Sequence, residues 1–352
     1  MHQLIVAQLK QGFNATGDAF GAPPLVRTAD LVVGWPFSIH IDFHGDSCEM
    51  ALRNDFTTAL LIVVTVFFAV PSIADGDAVE FTAVLDCVQI PDEIKLGKCS
   101  GVGVDAQGRV FLLHRGKHPV LCFDKSGKFL RSFGDDYVAM GHGLKVDRPG
   151  NIWVTCTEHH MVYKFDADGK LLLAIGQIDK PGLGTDPPQF DQPTDVAVGP
   201  QGEIYVADGY GNSRMVKLSP DGKFLTTWGS AGEAPGEFHA PHQVEVDAKG
   251  RIIVADRDNN RLQIFDADGQ LLEVAPVTKP FGVALDGEGQ VFVCSGDKIL
   301  RLASSGDIVQ SWGKEGTGPL EFTICHQIAI DRGGNLYVAE VGGQRLQKLR
   351  RR

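Results

Sequence analysis

The chain has 352 residues, 43% of them hydrophobic, with 44 acidic against 33 basic side chains and a formal net charge of -11. That length allows one large core or two modest ones, and the acidic balance excludes a nucleic-acid footprint, which calls for clustered Lys and Arg. The dense basic run Arg350 to Arg352 is too short for a basic motif and reads as a solvated terminus.

Residues 1–49 show no period and read as a non-native upstream leader. From Met50 the order changes. A short polar start, the apolar run Ala59 to Val70 and the small residues to Ala74 reproduce the parts of a secretory signal peptide over 50–74. The apolar run falls short of the roughly 20 residues that span a bilayer, so no stable membrane insertion is expected after cleavage. The alternative is a buried helix of the folded domain. Export predicts a secreted or periplasmic protein, where disulfides are permitted. Six cysteines follow Ala74 (Cys87, Cys99, Cys122, Cys156, Cys294 and Cys325), with no C-x-x-C spacing and about 15 possible pairings.

Over 79–352 the chain repeats itself. Six copies open at SGVGVDAQGRVFLLHR, GHGLKVDRPGNIWVTC, PTDVAVGPQGEIYVAD, PHQVEVDAKGRIIVAD, PFGVALDGEGQVFVCS and CHQIAIDRGGNLYVAE. Indexed at Gly101, His142, Thr194, His242, Phe281 and His326, they are spaced by 41, 52, 48, 39 and 45 residues. That is the period of propeller blades, about 40 to 50 residues. In the fourth copy Gln243 to Asp247 alternates, Ala248-Lys249-Gly250 turns, and Arg251 to Ala255 alternates again. A third strand follows at Arg261 to Asp266 and a fourth at Gln270 to Val274. Four short antiparallel strands per copy, without helical periodicity, predict an all-β, six-bladed β-propeller. The last copy lacks its outer strand. Phe81 to Cys87 alternates and is expected to supply it, closing the ring.

One register position carries chemistry. It is His in copies two, four and six: His142, His242 and His326. Alternate blades of a six-fold ring lie about 120° apart, so the three imidazoles should converge on the axis. Three protein nitrogens with an open fourth position is a catalytic type of zinc arrangement. The alternative is three unrelated polar residues in a wet channel.

The run FDQPTDVAVGPQGEIYVADGYGNSRMVKLSPDGKFLTTWG from Phe190, followed by PHQV and VADRDNNRLQIF, resembles the peptidyl-α-hydroxyglycine α-amidating lyases, within the NHL-repeat (TolB-like) six-bladed propellers. The likeness covers about residues 100–349. It implies zinc on His142, His242 and His326, a tyrosine base at Tyr210 of DGY-x-NSR, and active-site arginines at Arg115 of LHRG and Arg257 of ADRD. It also implies a calcium held by the carbonyls of Val102 and Leu144 and by the residue after the third His. That residue is Gln327, where the family has Asp, and an uncharged amide weakens a calcium site. Cys325 stands where the family often has Pro, and Asp191 and Gly211 occupy the places of a disulfide around DGY.

The chemistry implied is cleavage of a carbinolamide to an amide and glyoxylate. Zinc lowers the pKa of the hydroxyl, a base takes its proton, and an arginine holds the carboxylate. A tyrosine, with an ordinary pKa of about 10, needs a nearby cation or metal for that role. The partner expected is a small-molecule or peptide substrate, and the protein is expected to be a monomer. Two rivals remain: a binding module for peptide or polysaccharide, and a propeller hydrolase with a metal-bound water.

Overall fold

The computed structural model describes residues 78–352 throughout, together with the strands Arg27–Val32, Ser38–His44 and Ser47–Arg53. Those three strands form an antiparallel sheet in a unit of its own. The leader and signal segments expected over 1–49 and 50–74 otherwise lie outside the described residues.

Residues 99–351, with Phe81–Val84, form six four-stranded antiparallel sheets and no helix. This is the six-bladed propeller. Blade one is Cys99–Val104, Val110–His114, Val120–Phe123 and Phe129–Phe133. The second to fifth blades begin with Gly141–Val146, Asp195–Val198, Pro241–Val246 and Pro280–Leu285, and each runs through four consecutive strands. In the sixth, Cys325–Ile330, Leu336–Glu340 and Arg345–Arg351 are completed by Phe81–Val84, with Phe81 opposite Arg351 and Val84 opposite Lys348. The ring is therefore closed by the beginning of the domain, which leaves no long unpaired outer edge.

The first hairpins have a shared cause. The carboxylate of Asp247 accepts from the N–H of Lys249 and Arg251 at 2.9 and 2.8 Å, ordering the turn. Gly250 follows with φ +79, a conformation that costs a glycine little. Asp105, Asp286 and Asp331 accept in the same two places in their blades.

The second strand of most blades is buried on both faces, because its neighbours in the sheet and the adjacent blades cover it. Its last residue is often a buried carboxylate. Asp208 accepts from Arg214 Nε at 2.8 Å, Asp256 from Arg261 Nε at 2.7 Å, and Glu340 from Arg345 Nε at 2.7 Å. Each pair ties the loop to the third strand, and truncating one partner would strand a buried charge. The six thiols of residues 78–352 form no disulfide, and five are buried.

Closure rests on Phe81, 7% exposed, whose ring meets Trp312 edge-on at 5.0 Å and Phe292 at 6.2 Å. Phe81→Ala should destabilise the domain by about 3–5 kcal/mol in urea denaturation. Leu85→Ala, at a side chain 70% exposed, should change stability by less than about 0.5 kcal/mol.

Candidate metal centre

His142, His242 and His326 lie in the innermost strands of blades two, four and six, each where the register of that strand slips against its neighbour. Such a bulge re-aims side chains. All three rings are buried, and their centroids are 4.7 Å apart in every pairing. One ligand atom from each lies within 4.8 Å of the others, so the three could hold a metal ion.

The intervening blades orient the rings. His142 Nδ1 lies 2.7 Å from Thr194 O, His242 Nδ1 2.6 Å from Phe281 O, and His326 Nδ1 2.7 Å from Ser100 O. A carbonyl only accepts, so each Nδ1 carries the hydrogen and each Nε2 keeps its lone pair. Backbone acceptors of this kind fix both tautomer and ring direction in metal sites. Burial, reinforced by the neighbouring ring and arginine charges, holds His142 and His242 well below the ordinary imidazole range. Burial with the charge of Arg115 lowers His326 to about 3. Three neutral ligands therefore face one another at physiological pH.

These bonds also correct the register of the first copy. Ser100, not Gly101, stands where Thr194 and Phe281 stand, because Ser100 supplies the equivalent carbonyl.

Tyr210, Arg115 and Arg257 sit at the open side. The Tyr210 hydroxyl is 2.8 Å from His142 Nε2 and 3.2 Å from His242 Nε2, and it accepts from Arg257 Nη1 at 3.1 Å. Arg257 also stacks its guanidinium over the rings of Tyr210 and Phe281, at 5.4 and 5.5 Å. Its Nε and Nη2 are held by Asp258 at 2.8 and 3.0 Å. Burial is the largest single influence and opposes that charge, but the bonds and charges of Asp258 and Tyr210 together outweigh it and raise its pKa. Arg115 is tethered differently, by Nε to Gly141 O at 3.2 Å, and burial lowers its pKa.

Below the imidazoles the next register position is glycine in three blades and a polar side chain in the other three. A Cβ on Gly101, Gly143 or Gly282 would stand within 2.7 Å of Gln327, Asp195 and Gln243 respectively, so the glycines make room for the polar groups. Gln327 Oε1 accepts from the N–H of Val102 at 3.0 Å and of Leu144 at 3.1 Å. Asp195 Oδ2 accepts from Val244 N, and burial raises its pKa to about 7 against the opposing charge of Lys145.

Cys325 turns from the hub, its Sγ donating to Lys298 O at 3.1 Å. Asp191 and Gly211 are neighbours, joined by a Gly211 N–H to Asp191 O bond of 3.0 Å. Asp208 and Asp256 pair with Arg214 and Arg261, while Arg257 pairs with Asp258 and not with Asp256. Asp258, Phe281, Lys145 and the three carbonyl acceptors are absent from the set read from sequence. Asp258 had a local signal as the neighbour of Arg257. A backbone carbonyl has none.

An NHL repeat pattern matches residues 190–218 and 238–265. The chain is 34% identical over 270 residues to NHL repeat-containing protein 3 of Mus musculus, covering 70% of this chain and 78% of that protein. It is 31% identical over 183 residues to a probable peptidyl-alpha-hydroxyglycine alpha-amidating lyase of Caenorhabditis elegans, covering 47% of this chain and 51% of the relative. A solved streptogramin B lyase matches with a TM-score of 0.57 at 17% identity over 78% of this chain and 98% of that one, a likeness of fold.

Replacing one of three ligands leaves two imidazoles, too few for a closed site. His242→Ala is expected to lose tightly held transition metal, read by elemental analysis of the purified protein. His159→Ala, at an exposed ion pair with Asp179, should keep it.

Proposed function

The chain belongs to the NHL-repeat family of six-bladed β-propellers, and on that premise we propose that it is a zinc-dependent carbon-nitrogen lyase. The substrate is a peptide or small molecule ending in a carbinolamide, R-CO-NH-CH(OH)-COO⁻, and the products are an amide and glyoxylate. The observation that supports this reading most is the convergence of three neutral imidazoles beneath a tyrosine hydroxyl flanked by two arginines.

Nitrogen donors suit zinc, and the Nε2 atoms of His142, His242 and His326 would hold it. Bound there, zinc supplies Lewis acidity to the substrate hydroxyl. The protein's own groups do the rest. Tyr210, in its deprotonated form, takes the hydroxyl proton, and Arg257, donating to the same oxygen, stabilises the anion that this role requires. The O–H electron pair becomes the second bond of the new aldehyde, the C–N pair leaves on nitrogen, and the proton is returned there to give the amide.

The two arginines divide the remaining work. Arg257 is occupied by Asp258 and Tyr210, so it positions the base. Arg115 has only its Nε engaged by Gly141 O, which suits its Nη groups to a substrate carboxylate.

Glyoxylate release from a peptide ending in α-hydroxyglycine tests the reading. Tyr210→Phe should lower kcat by about 10²–10⁴-fold with metal retained, whereas Arg115→Ala should act mainly by raising KM. Zinc-loaded wild-type protein that releases no glyoxylate would sink the proposal and leave a binding module.

A further inference from the structure

The calcium that the family resemblance implies does not fit the donors beneath the imidazoles. Calcium takes about 6–8 oxygen ligands. Gln327 Oε1 already serves two N–H groups, those of Val102 and Leu144. Gln243 Oε1 accepts from Val283 N at 2.9 Å, which leaves its Nε2 buried with no partner. Gln327 Nε2 donates to Asp195 Oδ1 at 3.3 Å. The side chains of this layer therefore present amide donors and a single carboxylate, and donors repel a cation.

One layer further along the channel a positive charge is already present. Lys145 Nζ lies 2.5 Å from Glu245 Oε2 and 4.0 Å from Asp195 Oδ2. Its ammonium crosses from blade two toward blades three and four. The register-equivalent residue of blade four is Glu245 itself, and those of the other blades are Gly103, Ala197, Ala284 and Ala329, small enough to leave room for a long side chain across the axis. Lys145 and Asp195 are largely shielded, with side chains 14% and 1% exposed, so their charges are weakly screened.

We infer that Lys145 is a tethered cation of the axial channel, balancing Asp195 and Glu245 one layer from the place where the resemblance puts calcium, and that the channel carries its charge balance without that metal. The chain makes the charge balance covalent. It cannot dissociate in a calcium-poor medium. The inference is independent of zinc or lyase activity.

Calcium alone, added to the metal-stripped full-length protein, tests it. Wild type should bind none by titration calorimetry, and its Tm should move by less than about 1 °C. Lys145→Met strands two carboxylates and should lower Tm by about 5–10 °C, a loss that millimolar calcium partly restores. A wild-type protein that takes up about one calcium per chain, or rises in Tm with it, overturns the inference. So does a Lys145→Met protein as stable as wild type. The wild-type arm needs no variant and decides the matter if Lys145→Met fails to fold.

Discussion

The innermost strand of every blade has one edge that no further strand can pair, and six such edges share one narrow axis. Buried N–H and C=O groups must find partners, and here they find them in side chains sent from neighbouring blades. Carbonyls of Ser100, Thr194 and Phe281 take the Nδ1–H of the three histidines. N–H groups of Val102, Leu144, Val244 and Val283 are taken by Gln327, Asp195 and Gln243. The candidate metal centre is the upper layer of that arrangement. Satisfying the edges and orienting the ligands are one act.

Electrostatics follows from the same crowding. Three buried imidazoles could be charged only at high cost, so burial keeps them neutral and their lone pairs free. The charges that do enter the axis arrive as partners, Lys145 with Glu245 and Asp195. At the rim Arg257 is neutralised by Asp258. Among the groups around Tyr210, Arg115 is the cation with donors to offer outward, which gives the open side a direction for an anion.

Much of this was legible in the residues. Turn chemistry and alternation are local, so the six blades and the closing strand at Phe81 could be read from sequence, and the three histidines could be assigned to one register on alternate blades. The register of the first copy was legible as well: Ser100 stands five residues before Asp105, as His142 does before Asp147 and His242 before Asp247, so an index at Gly101 misses it by one. Lys145 was not legible. It sits in an alternating strand where a lysine ordinarily faces water, and only the ring geometry turns that face inward. Carbonyl partners carry no residue signature at all.

Each ligand comes from a different blade, so the hub exists only in the closed ring. Opening the ring at the sixth blade, where Phe81–Val84 pairs with Arg345–Arg351, would free the blade that carries His326. A metal held by all three imidazoles binds the closed form alone and must favour it by mass action. The reverse also holds, since packing at Phe81 and Trp312 is what keeps the third ligand within 4.7 Å of the other two. The distant closing strand and the central imidazoles are therefore parts of one equilibrium, and a substitution at either is felt at both.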